Sequence, residues 1–199
     1  MNLIKHILIF LIMSFILLTI MLVSYANINI EDINDIASEY SFIEISQEII
    51  LFIIICIYFY MAKQIYILKH ICILIGSFFM CMLIRELDFL FDILHHGSWF
   101  YFAIITTITG TILAFRDKNK LLNGFEYYKN LPYFGMMISG LLTILVFSRL
   151  FGTTMFWNLL LPNNYANIVK NIVQEGSEFF GYILCLFSSI YFMIKTRKK

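Results

Sequence analysis

Met82–Trp99 reads MLIRELDFLFDILHHGSW. The stretch begins inside an apolar segment and leaves it carrying Arg85, Glu86, Asp88, Asp92, His95 and His96. Read as one helix, it places Arg85, Asp88, Asp92, His95 and His96 on a single face. Glu86 lies about 100° round from Arg85. Charges at the end of an apolar helix are costly unless they are paired, hydrated or used. The other displaced charges of the chain are therefore expected against this face. The fold that can host them is an all-α bundle of transmembrane helices.

Composition supports that class. The chain has 199 residues, of which 61% are hydrophobic and 18% aromatic, with a mean hydropathy of +0.85. Soluble domains are usually about 45–50% apolar. A net charge of +1 supplies no basic face for nucleic acid. Cys56, Cys72, Cys81 and Cys185 all fall in apolar segments and form no CxxC pair. Cys72 and Cys81 are about 13 Å apart along one helix, too far to bridge. The four read as small core hydrophobes.

Outward from the quoted stretch, hydropathy predicts six spans in a single integral domain: about 7–25, 43–62, 68–91, 98–115, 133–151 and 171–194. The first comes after Lys5 and His6. It is longer than the ~7–15 residues of a secretory h-region, so it reads as an uncleaved first span. Asn27–Phe42 reads as a short amphipathic surface helix with Glu31, Asp32, Asp35 and Glu39. The fourth span carries two small-residue stripes, Ala103-Thr107-Thr111 and Thr106-Gly110-Ala114, which let helices approach closely. Arg116–Leu131 reads as a polar loop, and Gly152–Lys170 as an aromatic segment at the interface.

Charge sets the orientation. With six spans both termini lie on one side. That side holds Lys5, Lys63, Lys69, Arg116, Lys118, Lys120, Lys129, Lys195, Arg197, Lys198 and Lys199, eleven of the fourteen basic residues. The positive-inside rule makes this the cytoplasmic face. Eleven of the thirteen acids, all but Asp117 and Glu126, fall on the other side.

Glu44 and Glu48 share a face of the second span, and Asn171, Glu175, Glu178 and Tyr182 share one of the sixth. Arg149 ends the fifth span at the same depth. The expectation is one polar cluster in the outer half of the bundle, made of Glu44, Glu48, Arg85, Glu86, Asp88, Asp92, Arg149, Glu175 and Glu178. Three chemistries are open to it. Arginines could pair bidentately with carboxylates and fix the helices. Asp88, Asp92, His95, His96 and Glu178 could hold a divalent Zn, Mn or Fe ion that activates water, although no HExxH, HxxxH or repeated ExxH is present. Glu48, Asp88 and Glu178 could carry protons or cations, in a chain small for a transporter and without an inverted repeat.

Two stretches carry a resemblance. They are Arg85-Glu86-Leu87-Asp88 with Gly97 and Trp99, and Lys170-Asn171 with Glu175-Gly176-Ser177-Glu178 and Gly181-Tyr182. Together they resemble a group of small, uncharacterised multi-pass inner-membrane proteins of proteobacteria, with R-E-x-D, G-x-W and K-N-x-x-x-E-G-x-E-x-x-G-Y signatures. The resemblance implies a bacterial inner membrane and, the group having no assigned activity, little more; it favours Arg85, Glu86, Asp88, Glu175 and Glu178. Alkaline-ceramidase-like hydrolases do not fit, because the sixth span has no His.

The expected function is that of a membrane protein whose cluster is structural or recognises a partner or small ligand. The alternatives are a metal-dependent enzyme acting at the periplasmic face on a lipid or lipid-linked substrate, and a small proton- or cation-coupled carrier. The expected partners are the lipid bilayer and another membrane protein or a second copy of the chain.

Overall fold

The computed structural model describes residues 42–93, 95–161 and 163–197, together with Leu8, Leu11, Ile12, Ser14, Phe15, Leu18 and Thr19. These seven positions are helical. The rest of the expected first span, and the expected surface helix up to Phe42, lie outside the described residues. Among the described residues the chain is helical and contains no strand.

Helix α1, Phe42–Gln64, is the middle of the molecule. Gln47, Leu51, Ile54, Tyr58 and Met61 are buried along it at spacings of four, three, four and three. That seam packs a helix on each side, as heptad-like spacing does. The helix ends at Ile65, which turns extended, and its N–H closes on the Met61 carbonyl at 3.0 Å. A single 3₁₀ turn, Tyr66–Leu68, then reverses the chain into α2, Lys69–Glu86.

The expected third span is interrupted. Its regular helix stops at Leu87 (φ −88°, ψ 23°), and a separate short helix, α3, covers Asp88–Asp92. The single charged face read from Arg85 to His96 is therefore split, and the two halves point to different places.

Among the described residues, helix α4, Trp99–Phe115, packs chiefly on α2. Gly110 makes the approach, because a Cβ there would meet the Ser77 side chain. The Thr106-Gly110-Ala114 stripe faces inward, with Gly110 and Ala114 buried. Thr107 and Thr111 of the second stripe are exposed.

Arg116–Leu131 is not a loop. Asp117 caps α5, Lys118–Lys129, by accepting from the Lys120 backbone N–H at 3.1 Å. Leu121, Gly124 and Tyr128 supply a buried edge at three- and four-residue spacing that the high charge of the segment hides. The helix lies at 96° to α4.

Helix α6, Phe134–Phe151, contains a π-helical turn at Thr143–Phe147. A short helix, α7, comes next at Thr154–Asn158. The last helix, α8, is Asn163–Arg197 and starts well before the expected Asn171. Most of the expected interfacial segment is thus α7 or the first turns of α8. At 35 residues α8 is longer than the ~20 needed to span a bilayer.

The helices stand in the order α4–α2–α1–α8–α6, each packed on the next. Tyr58 ties the middle together. It stacks with Phe79 of α2 at 6.3 Å and Phe192 of α8 at 5.6 Å, and its hydroxyl meets that of Tyr128 at 2.6 Å. α6 and α8 cross at Gly140 and Gly181, where a Cβ on either would lie 2.7 or 2.8 Å from the other's carbonyl oxygen. Close approach through glycine is how helices associate where lipid removes the hydrophobic drive.

Among the described residues, four helices are long and apolar enough to cross a membrane: Ile43–Gln64, Tyr66–Glu86, Phe134–Phe151 and Ala166–Arg197. The bent pair Trp99–Phe115 and Lys118–Lys129 makes a fifth if it counts as one span. Phe52, Ile53, Ile105, Ile112, Leu145 and Val146 are exposed. An apolar exterior around buried polar groups is the pattern of a chain surrounded by lipid.

Candidate functional site: an arginine–carboxylate network

Helix α8 carries the centre. Gln174, Glu178 and Tyr182 recur every four residues, so one face presents all three. Glu178 is only 2% exposed. Its Oε1 receives Arg149 Nη2 from α6 at 3.0 Å, and its Oε2 lies 3.8 Å from Arg85 Nη2 of α2. Gln174 Nε2 adds a bond to Oε1 at 3.3 Å. Arg85 also pairs with its neighbour Glu86. The Tyr182 hydroxyl donates to Glu86 Oε1 at 2.9 Å, which brings the chain of contacts back to α8.

Two local features aim the arginines. The π turn at Thr143–Phe147 inserts one extra residue per turn just ahead of Ser148 and Arg149. An inserted residue rotates the downstream residues by about 100°, and here it brings Arg149 onto α8. Arg85 lies in the last turn of α2, one residue before Glu86 ends the helix.

Helix α1 joins through an amide. Gln47, 1% exposed, donates from Nε2 to the Glu175 carbonyl at 3.2 Å and to Glu175 Oε2 at 3.3 Å. Glu48 lies within electrostatic reach of Glu86, and Glu44 within reach of Glu175. Contacts thus join Glu86, Glu175 and Glu178 with Arg85 and Arg149 in one network, in which carboxylates outnumber guanidiniums.

Magnitudes show what such a network does. Two unit charges 4 Å apart attract by about 4 kcal/mol at an effective dielectric of 20. Withdrawing each ion from water costs several kcal/mol. The intact network is close to neutral for stability. Removing one partner leaves the other buried and unpaired, which is strongly unfavourable. The balance of these terms leaves little net stability in the intact pairs and a large penalty for a mispaired one.

Asp88 and Asp92 are not in this cluster. Asp88 is exposed at the start of α3. Asp92 builds its own turn: Oδ1 accepts from the Gly97 N–H at 2.8 Å, and Oδ2 lies 2.7 Å from His96 Nδ1. Gly97 has φ +81°, a conformation that favours glycine. Ser98 Oγ closes the turn on the Phe91 carbonyl at 2.5 Å. The Gly97 N–H, helped by His96, holds the Asp92 carboxyl below the usual carboxylate range.

The expected metal set does not assemble. Glu178 sits inside the bundle between two guanidiniums, whereas Asp92, His95 and His96 occupy the exposed turn beyond α2. Asp92 to His96 come six to ten residues after Glu86, about 9–15 Å further along even an unbroken helix. Among the described residues no group of three or more His, Cys, Asp or Glu side chains is placed to hold a metal ion.

Gln47 and Gln174 belong to the network and carry no formal charge, so a search for displaced charges passes over them. The signal was present at Gln47, an amide on the same seam as Leu51, Ile54 and Tyr58. Comparison with protein-family models, with curated proteins and with solved structures finds no match to any of them.

Proposed function

We propose that the chain is an integral membrane protein of a bacterial inner membrane, kin to the multi-pass proteins its two signatures resemble. Both termini face the cytoplasm, and the arginine–carboxylate network locks the outer half of its bundle. One observation carries the reading: buried Glu178 is shared between Arg149 of α6 and Arg85 of α2. The lock holds a surface in shape for a partner protein or small ligand. The metal-dependent enzyme is not adopted, because Asp88, Asp92, His95 and His96 do not meet Glu178. A proton- or cation-coupled carrier is the second reading, favoured by the surplus of carboxylates over Arg85 and Arg149.

A thermal-stability cycle in mild detergent tests the lock. Arg149→Ala and Glu178→Ala should each cost about 2–3 kcal/mol, below the ~3–5 kcal/mol of a fully buried pair because Arg149 is half-exposed. The double variant should fall short of their sum. Additive losses, or a single change without effect, would remove the lock. A carrier would instead show Glu178→Gln abolishing proton-linked uptake with stability kept.

A further inference from the structure

The opposite end of the bundle holds a cleft of about 490 Å³, within the ~300–1,000 Å³ of small-molecule sites. It opens between the end of α1, the 3₁₀ turn, α5 and the end of α8. Tyr60, Gln64, Tyr127 and Arg197 give it polar groups, and Ile65 and Ile67 an apolar wall. Arg197 is fixed at its mouth. Its Nη2 donates to the Tyr60 hydroxyl at 3.0 Å, and its guanidinium lies 5.3 Å from the Tyr60 ring centre. Among the described residues no carboxylate lines the cleft. The ion pairs towards this end are Lys120–Asp117 at 3.0 Å and Lys129–Glu126 at 3.8 Å, and neither uses Arg197. Lys63, Lys69 and Lys195, at the same ends of α1, α2 and α8, are exposed.

A topology signal needs only basic residues; it needs no cleft and no arginine held in place by a tyrosine. A guanidinium presents a planar fork of donors matched to phosphate oxygens. Exposed Ile67 beside it offers a surface for an acyl chain. Basic pockets between helices on the cytoplasmic side suit acidic lipid head groups. We propose that this cleft binds an acidic phospholipid, with its phosphate on Arg197 and Gln64 and its acyl chains along Ile65 and Ile67. The inference rests on the membrane reading above but not on the arginine–carboxylate lock.

The test is native mass spectrometry of the full chain in mild detergent with phosphatidylglycerol, with phosphatidylcholine, or with inorganic phosphate alone. Phosphatidylglycerol should be retained in preference to phosphatidylcholine, and phosphate should not displace it. Arg197→Gln should weaken retention about fivefold, the share of one basic residue near ~1 kcal/mol. Arg116→Gln, which removes a charge that does not line the cleft, should leave it unchanged. Gln64→Ala should also weaken retention, and serves if Arg197→Gln lowers the melting point without lipid. Equal retention of the two lipids, displacement by phosphate, or equal losses in the Arg197 and Arg116 variants would each overturn the site. Resistance of the chain to carbonate extraction checks the membrane reading separately.

Discussion

At the scale of residues, the informative position is Glu178. Its place on one face with Glu175 and Tyr182 was legible from spacing, as was the depth it shares with Arg85 and Arg149. Which charges meet was not legible, because that depends on helix order and on the π turn that aims Arg149. No residue pattern at Thr143–Phe147 announces that turn. Asp92 shows the converse case. Its charge suggested membership of the cluster, yet the Gly97 N–H captures it locally. This turn has a pH dependence of definite sign. Asp92 titrates lower when folded than the ~3.9 of a free carboxyl. The stabilisation is thus present above that value and lost as pH falls through the folded pKa. Hydrogen exchange of the Gly97 amide, corrected for intrinsic rate, should show protection above pH ~4 and its loss in more acid solution. Asp92→Asn should weaken protection at neutral pH. Protection independent of both pH and that substitution would contradict the turn as described.

At the scale of elements, hydropathy located α1, α2, α4, α6 and α8, because the apolar runs are long and the charges between them few. It missed α5, where Leu121, Gly124 and Tyr128 form a narrow apolar edge among lysines. It also ran the third span past Leu87, where neither proline nor glycine marks the break. The small-residue reading of α4 holds for Gly110 and Ala114, which are buried; Thr107 meets Cys81 of α2 but stays exposed, as does Thr111. The tightest crossing lies elsewhere, at Gly140 and Gly181. Gly140→Leu or Gly181→Leu should push α6 from α8, since a side chain would meet the facing backbone. Overpacking of this kind costs roughly 1–3 kcal/mol, and here more, because a backbone oxygen cannot turn aside. Gly135→Leu, which meets nothing within 4 Å, is the control. Equal melting points for the three variants would rule out the glycine crossing.

At the scale of the whole molecule, five long helices among the described residues form a row with Tyr58 near its centre; the acidic network lies at one end of this bundle and basic residues at the other. The separation of charge was visible in the sequence once spans were drawn. The row was not, because nothing in a hydropathy pattern says which helix stands beside which. Helix α4 is the critical member, the shortest of the five at 17 residues, about 26 Å of helix. If it crosses, its ends face opposite compartments. The direct measurement is labelling of intact cells with a membrane-impermeant maleimide. Cys56 and Cys81 are replaced by alanine, and buried Cys72 and Cys185 are left in place. His96→Cys in this background should react in intact cells, whereas Asn119→Cys should react only after the membrane is opened. Reaction of both from the same side would contradict a bundle with its acidic end outside and its basic end in the cytoplasm.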